Sequence, residues 1–167
     1  MERKLYLPNN SIVALTRWLA RKINASLPKI FNYRFPITLI GIAEGGLLFT
    51  ELLSSFLEMP HERGILRRGP DGSFSFPCET LPNQVILADC ICDTGKTLFE
   101  ISSLYKTRRT RVCSVVLLRR FAKGTACFFP EFQGYGISGN EFFVGFGLDD
   151  REGKSRELPD IYTEGEI

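Results

Sequence analysis

The sequence predicts an α/β fold in which a largely parallel sheet is flanked by helices. Two observations lead to this prediction. Short apolar runs alternate with amphipathic segments in the order strand, helix, strand, helix, strand. Glycine-bearing loops at 43–46 and 89–96 each follow an apolar run and precede a helical segment. Because ligands of such sheets bind at the carboxyl ends of the strands, we expect both loops at one binding edge.

The N-terminal part of the chain predicts a helix, a buried strand and a second helix. Apolar side chains recur at helical spacing over 11–27, and Pro28 is expected to end this helix. The β-branched run 36–42 is typical of a strand that is buried on both faces. The segment 47–57 follows the first glycine-bearing loop and is predicted to be helical.

The rest of the chain continues this alternation and then loses it. The expected elements are a strand at 63–68, a polar hairpin or mobile loop at 69–82, a strand at 85–88, a helix at 97–106 and strands at 112–118 and 142–146. No periodicity appears between the last two strands, and the tail 149–167 is charged. The length of 167 residues suits one domain, 1–167.

Composition excludes several classes of protein. A formal net charge of +2 argues against nucleic acid as a partner, and no apolar stretch is long enough to span a membrane. The N-terminus lacks the apolar segment of a signal peptide. The five cysteines have no metal-ligand spacing, so we expect free thiols in a reducing cytoplasm.

The run 85–97 carries the chemistry of the sequence. It begins as an apolar strand, passes into a loop of Asp, Thr and Gly, and opens a helix. Backbone N–H groups and hydroxyls between Thr94 and Thr97 can surround a phosphate at the positive end of that helix. The carboxylates of Asp89 and Asp93 can face a sugar or a base beside it. These residues predict a site for a phosphorylated sugar.

This run is similar to the signature of type I phosphoribosyltransferases, in which a hydrophobic strand leads into two acids, two apolar residues and Asp-Thr-Gly-x-Thr. The resemblance implies a 5-phosphoribosyl-1-pyrophosphate site. Asp89 would hold ribose hydroxyls and, weakly, a metal ion, and Asp93 would be the general base near the purine. The residues implied to bind the 5′-phosphate are Thr94, Gly95, Lys96 and Thr97.

Two positions near this site depart from the family pattern. Cys90 stands at the second acid, where we expect it to face the ribose as a weak ligand. The loop 41–46 is similar to the pyrophosphate loop of the family, but Glu44 replaces a usual Lys or Arg. We expect Glu44 to point away, so that backbone N–H groups at Gly45 bind the pyrophosphate.

The C-terminal third is similar to one branch, the hypoxanthine-guanine phosphoribosyltransferases. The residues 142–149, followed by Arg156, match the hood of that branch, here mainly 121–167. The resemblance implies that Phe142 stacks on the purine and that main-chain groups near Phe143 read its edge. Asp149 would lie near magnesium and the base, while Arg156 would reach pyrophosphate.

One further base contact is implied at a strand end. Arg119 fits the position of a family lysine that contacts the purine O6, although an arginine is bulkier.

Three functions remain open from the sequence. The first is a purine phosphoribosyltransferase that uses Mg²⁺, phosphoribosyl pyrophosphate and a 6-oxopurine. The second is a related binding or regulatory protein that holds a nucleotide or ribose phosphate without transferring it. The third is transfer to a different heterocycle. The family resemblance also implies a homodimer or homotetramer.

Overall fold

The computed structural model confirms the predicted α/β fold. It describes residues 3–75, 82–106, 110–121, 128–149 and 154–166. The helices in these residues are α1 (Asn9–Ile30), α2 (Leu47–Ser54) and α3 (Lys96–Lys106). The strands are β1 (Arg3–Leu7), β2 (Ile37–Ile42), β3 (His61–Arg68), β4 (Phe74–Ser75), β5 (Gln84–Cys92), β6 (Arg111–Arg120), β7 (Phe132–Ile137), β8 (Glu141–Val144) and β9 (Ile161–Glu166).

The main sheet has six strands in the order β4-β3-β2-β5-β6-β7. Five of these strands, β3, β2, β5, β6 and β7, run parallel. In this sheet, β4 pairs antiparallel with β3, across a turn. Strand β5 lies at the centre and pairs with β2 on one side and β6 on the other. The parallel arrangement brings the carboxyl ends of these strands to one edge, as the sequence predicts.

The side chains of β5 divide between two hydrophobic cores. Ile86, Ala88 and Cys90 belong to the core that includes α1 and α2, whereas Val85 and Leu87 belong to the core that includes α3. This alternation follows from the pleat of a strand, in which successive side chains point to opposite faces. Helices therefore cover both faces of the sheet.

A second sheet has three antiparallel strands in the order β1-β9-β8, so it combines two C-terminal strands with the N-terminal one. The sequence predicted only β8 of these. The N-terminal strand β1 joins this sheet through an ion pair of Arg3 with Glu164 and a hydrogen bond from Arg3 Nη2 to Ser155 Oγ of 2.7 Å. The hood, mapped to 121–167, thus includes residues from the other end of the chain.

The end of α1 differs from the prediction, because Pro28 lies inside the helix instead of ending it. Proline removes one helical hydrogen bond. The last turn persists because Leu27 and Phe31 are both buried in the core, and the Phe31 N–H donates to Leu27 O at 2.8 Å. Tertiary packing therefore overrides the local helix-breaking tendency.

Residues 76–81 of the predicted loop lie outside the described residues, whereas 69–75 form the turn and strand of a short hairpin. None of the described helices is both long and apolar enough to cross a membrane.

Gln84 fixes the connection between α1 and β2 to the start of β5. Its buried side chain donates from Nε2 to Asn32 O at 2.9 Å and to Phe35 O at 3.0 Å, and its Oε1 accepts from the Asn32 N–H. We expect Gln84→Ala to lower the free energy of unfolding by about 2–3 kcal/mol, since it removes three hydrogen bonds made by one buried side chain. Urea denaturation measures this change. The exposed Gln133→Ala should alter stability by less than about 0.5 kcal/mol, and equal effects would contradict the argument.

Candidate active site

A cavity of about 220 Å³ opens at the carboxyl end of β5. It brings together six of the predicted site residues with three apolar or thiol side chains. Its lining consists of Asp89, Ile91, Cys92, Asp93, Thr94, Gly95, Lys96, Thr97 and Leu98. The cavity therefore follows directly from the signature run 85–97, which supplies all of these residues except Leu98.

The loop between β5 and α3 has the geometry of an anion site. Gly95 has a φ of +78°, and a Cβ at this position would lie 2.8 Å from Phe128 O, so only glycine fits here. Helix α3 begins directly afterwards, and Lys96 N donates to Thr94 Oγ1 at 3.3 Å. The N–H groups in the first turn of a helix have no intrahelical acceptor. With the side chains of Lys96 and Thr97 they can bind a phosphate.

Asp89 is the half-buried carboxylate of the cavity. Burial raises its pKa to about 7, although hydrogen bonds from the backbone N–H groups of Cys90 and Ile91 oppose this shift. The Cys90 N–H donates to Asp89 Oδ1 at 2.8 Å. Gly45 faces the same carboxylate, because a Cβ on Gly45 would lie 3.8 Å from Asp89 Oδ1. The two predicted loops thus meet at Asp89.

Cys90 does not face the ligand, contrary to our expectation. Its side chain is fully buried, and its thiol points to Phe146 O at 3.7 Å. Cys90 follows Asp89 directly, so the pleat turns it to the opposite face of β5, where Ala88 also packs. Burial also raises the pKa of its thiol well above the ordinary value. Cys90 is therefore a core residue that contacts the hood.

Glu44 is held by two arginines at the loop before α2. Its carboxylate forms an ion pair with Arg67, the penultimate residue of β3, and lies 4.0 Å from Arg156 Nη1. Its charge is therefore neutralised locally, which the sequence prediction did not include. Arg67 was not recognised from the sequence, because strand ends are rich in such arginines and no spacing pattern singles it out.

The hood contacts the same loop through its backbone. Gly147 has a φ of +87°, and a Cβ there would lie 2.5 Å from Gly45 O. Arg156 folds back on the hood, where its Nε and Nη2 lie 2.7 Å and 2.6 Å from Asp149 Oδ2. The remaining Oδ1 of Asp149 is buried and has no hydrogen-bond partner in the described part of the chain. The structure thus brings Glu44, Asp149 and Arg156 into one ion-pair cluster.

Arg119 lies behind the cavity wall rather than in the cavity. It is almost fully buried, and its Nη1 donates to Phe128 O at 2.7 Å and to Cys92 Sγ at 3.0 Å. The guanidinium carbon also lies 4.8 Å from the centroid of the Phe129 ring. These partners hold the long side chain in the wall, and Arg119 is not among the described residues that line the cavity, so its contact with the base stays a prediction. Arg119 touches the lining through Cys92.

The two phenylalanines of β8 have different environments. Phe142 is half-buried and is not among the described residues that line the cavity. Phe143 is buried, and its ring packs edge-on against Tyr6 with 4.8 Å between centroids. The side chain of Phe143 therefore supports the hood, and only its main chain remains available to a base.

Arg120 is the second functional candidate that sequence reasoning missed. It follows Arg119 in β6, and its Nε donates to Asp93 Oδ1 at 2.6 Å. The doublet of arginines at a strand end was the available signal, but only Arg119 matched a family position.

The described residues contain no group of three or more His, Cys, Asp or Glu side chains that could hold a metal ion. Any metal at this site would therefore need ligands from a bound molecule in addition to the protein.

We predict that Cys90→Asp, which restores the acid of the family pattern, destabilises the protein. A carboxylate at a fully buried position loses its hydration without gaining a partner, so we expect a loss of at least about 3 kcal/mol. Urea denaturation of Cys90→Asp beside Cys90→Ala separates this charge effect from the loss of the thiol. A stable Cys90→Asp variant would contradict the burial of Cys90.

A second prediction concerns Asp89 and pH. The folded-state pKa of about 7 lies above the unfolded value of about 3.9, so the folded protein binds more protons between these limits. The free energy of unfolding therefore falls as pH rises through this window. Asp89→Asn removes this titration and should stabilise the protein at pH 8 by on the order of 2 kcal/mol, after allowance for partial solvent contact.

Urea denaturation at pH 8 and near pH 4 tests this expectation. The stabilisation should be present at pH 8 and disappear near pH 4. Asp71→Asn, in the exposed turn before β4, should give no gain at pH 8. An equal effect of Asp89→Asn at both pH values would contradict the raised pKa.

The curated proteins similar to this chain are named hypoxanthine-guanine phosphoribosyltransferases. No protein-family model matches the sequence. The hypoxanthine-guanine phosphoribosyltransferase of Aquifex aeolicus (strain VF5) is 26% identical over 175 residues, covering 95% of this chain and 93% of that protein. The protein of the same name from Lactococcus lactis subsp. lactis (strain IL1403) is 37% identical over 76 residues, 46% of this chain and 40% of that protein.

A solved structure extends the similarity to three dimensions. The hypoxanthine phosphoribosyltransferase of Trypanosoma cruzi superimposes with a TM-score of 0.85 at 24% identity, covering 98% of this chain and 97% of that chain. The chain therefore has the type I phosphoribosyltransferase fold and is similar, over nearly its whole length, to hypoxanthine-guanine phosphoribosyltransferases.

Proposed function

We propose that this chain is a purine phosphoribosyltransferase. It transfers the 5-phosphoribosyl group of phosphoribosyl pyrophosphate to a 6-oxopurine of the hypoxanthine or guanine type and releases pyrophosphate. The observation that carries this proposal is the meeting of three parts at one sheet edge. The phosphate loop 94–97 lines the same cavity as Asp89. The loop at Gly45 lies beside Asp89, and the hood at Gly147 contacts Gly45.

The phosphate loop explains how the substrate is held. The 5′-phosphate binds the N–H groups and side chains at the start of α3, with Lys96 supplying positive charge. Asp89 lies between this loop and Gly45, at the position where ribose hydroxyls would be expected. Pyrophosphate lies against the backbone at Gly45 and the guanidinium of Arg156, which must exchange Asp149 for the anion.

The residues present suit a magnesium ion held jointly with the substrate. Mg²⁺ is bound in such sites through one or two carboxylates together with phosphate oxygens. Asp149 offers a buried Oδ1 that has no partner among the described residues, and Asp89 offers a second carboxylate. The ion would neutralise charge on the departing pyrophosphate.

Asp93 faces the incoming base. In the transfer, a purine nitrogen forms a bond to the anomeric carbon as the carbon–oxygen bond to pyrophosphate breaks. The proton on that nitrogen passes to Asp93, whose carboxylate is exposed at the cavity. The pyrophosphate takes the electron pair of the broken bond, so charge and atoms balance.

We also propose that the chain self-associates and acts in the cytoplasm. The side chain of Ile65 is exposed beside a groove between α2 and β3, where Glu51 and Arg63 pair at 3.7 Å. Burial of this apolar side chain in a contact with a second copy of the chain is favourable. Sedimentation velocity measures whether the chain is a monomer or an oligomer. The thiols of Cys90, Cys92 and Cys113 are free, which favours a reducing compartment.

The proposed activity is tested by incubating the purified chain with phosphoribosyl pyrophosphate, Mg²⁺ and one base at a time. We expect nucleotide from hypoxanthine or guanine, detected by mass and ultraviolet absorbance. If only another heterocycle gives a product, that heterocycle replaces the 6-oxopurine as the proposed acceptor. Calorimetric binding of nucleotide with no product from any base would instead support the non-catalytic binding protein.

We predict that Asp93→Asn lowers kcat by on the order of 10²-fold, because the amide cannot accept the base proton. The KM for phosphoribosyl pyrophosphate should stay within about twofold, since residues 94–97 hold the phosphate. Steady-state kinetics measures both parameters. Glu58→Gln, exposed before the amino end of β3, is the control and should leave both unchanged. Equal losses in kcat and substrate binding would argue against Asp93 as the base.

A further inference from the structure

Arg120 connects the cavity to the hood through a single guanidinium group. It is the last residue of β6 and is 9% exposed. Its Nε donates to Asp93 Oδ1 at 2.6 Å. Of the other two nitrogens, Nη1 donates to Gly139 O in the turn between β7 and β8. Nη2 donates at 2.9 Å to the carbonyl of Glu141, the first residue of β8.

The surroundings of Arg120 hold this geometry in place. Its guanidinium carbon lies 5.3 Å from the centroid of the Phe143 ring, which Tyr6 packs from the side. Among the described residues, Glu141 and Tyr6 are titratable side chains near it, and the charge of Arg120 opposes the rise in the pKa of Tyr6 that burial causes. The planar fork of an arginine can serve three acceptors at once, which the single ammonium of a lysine cannot do in this arrangement.

Asp93 has a different kind of environment. Its side chain is 54% exposed, and its Oδ2 has no hydrogen-bond partner among the described residues. The contact with Arg120 therefore uses one oxygen and leaves the other directed to solvent and ligand. A loop carboxylate with this exposure would otherwise sample several rotamers.

We propose that Arg120 is a positioning residue that fixes the carboxylate of Asp93 relative to the hood. This inference rests on the proposed function, since it assigns Arg120 to the same reaction. Arg120 is not among the described residues that line the cavity. It holds one oxygen of Asp93 so that the other faces the base, and it ties that orientation to the 139–141 turn from which β8 begins. Hood placement and proton acceptance are thereby set by one side chain.

A double-mutant cycle between Arg120 and Asp93 tests this role. Arg120→Gln should lower kcat about 10- to 100-fold, while the KM for phosphoribosyl pyrophosphate stays within about twofold. Arg120→Lys keeps the charge and one donor, so it should recover part of the lost kcat. In the Asp93→Asn background, Arg120→Gln should reduce kcat by no more than about twofold further, because its partner is already removed.

Arg111→Gln is the matched control, since Arg111 lies at the opposite end of the same strand and its side chain donates to Ile30 O at 3.4 Å, away from the cavity lining. It should retain full kcat. Thermal melting of every variant identifies loss of folding, and if Arg120→Gln does not fold, the cycle is made with Arg120→Lys.

The outcomes separate this inference from the proposed function. If the unmodified chain forms no nucleotide from any base, the proposed function fails and the role of Arg120 fails with it. If the unmodified chain is active but the two substitutions act independently, only the role of Arg120 is overturned. A rise in KM with unchanged kcat would also overturn it, because that result indicates substrate binding rather than positioning.

Discussion

The position of β5 between two hydrophobic cores is the constraint on which the rest of the molecule depends. Because the strand is paired on both sides and buried on both faces, its residues have no freedom to change register. The pleat then determines which face of the sheet each side chain points to at the carboxyl end of β5. Asp89 reaches the cavity, while Cys90 enters the core and contacts the hood at Phe146. A thiol at that position is compatible with the site because it is not part of it.

Electrostatic balance explains how the chain accommodates an acid in its pyrophosphate loop. Glu44 is exposed, and an isolated surface ion pair contributes little to stability. Its effect is instead local, because it places Arg67 and Arg156 at the mouth of the site. Two guanidinium groups therefore lie beside the carboxylate of Glu44. The hood supplies Asp149 to the same cluster, so the charge is balanced before any anion binds.

The sequence predicted the parallel sheet, the three helices and the phosphate loop, because these depend on local periodicity and on neighbouring residues. It missed β1 and β9, whose pairing joins the two ends of the chain and leaves no local pattern. It also missed the edge strand β7 in the stretch where no periodicity appears, because two glycines and side chains that are mostly exposed or half-buried give that strand no regular alternation. It also placed Arg119 in the site by family position, although the carbonyl of Phe128 draws that side chain into the wall. Arg120 was missed because its partners come from three separate segments, and such convergence appears only in the folded chain.

We propose that this one edge of the sheet binds a purine ribonucleotide, with its phosphate at 94–97 and its base between Asp93 and the hood. The most direct measurement is a crystal structure of the chain with guanosine 5′-monophosphate. We expect the phosphate on the N–H groups at the start of α3 and the purine beside Asp93 and Phe142. A phosphate bound elsewhere, or a base that lies outside the hood, would contradict the account.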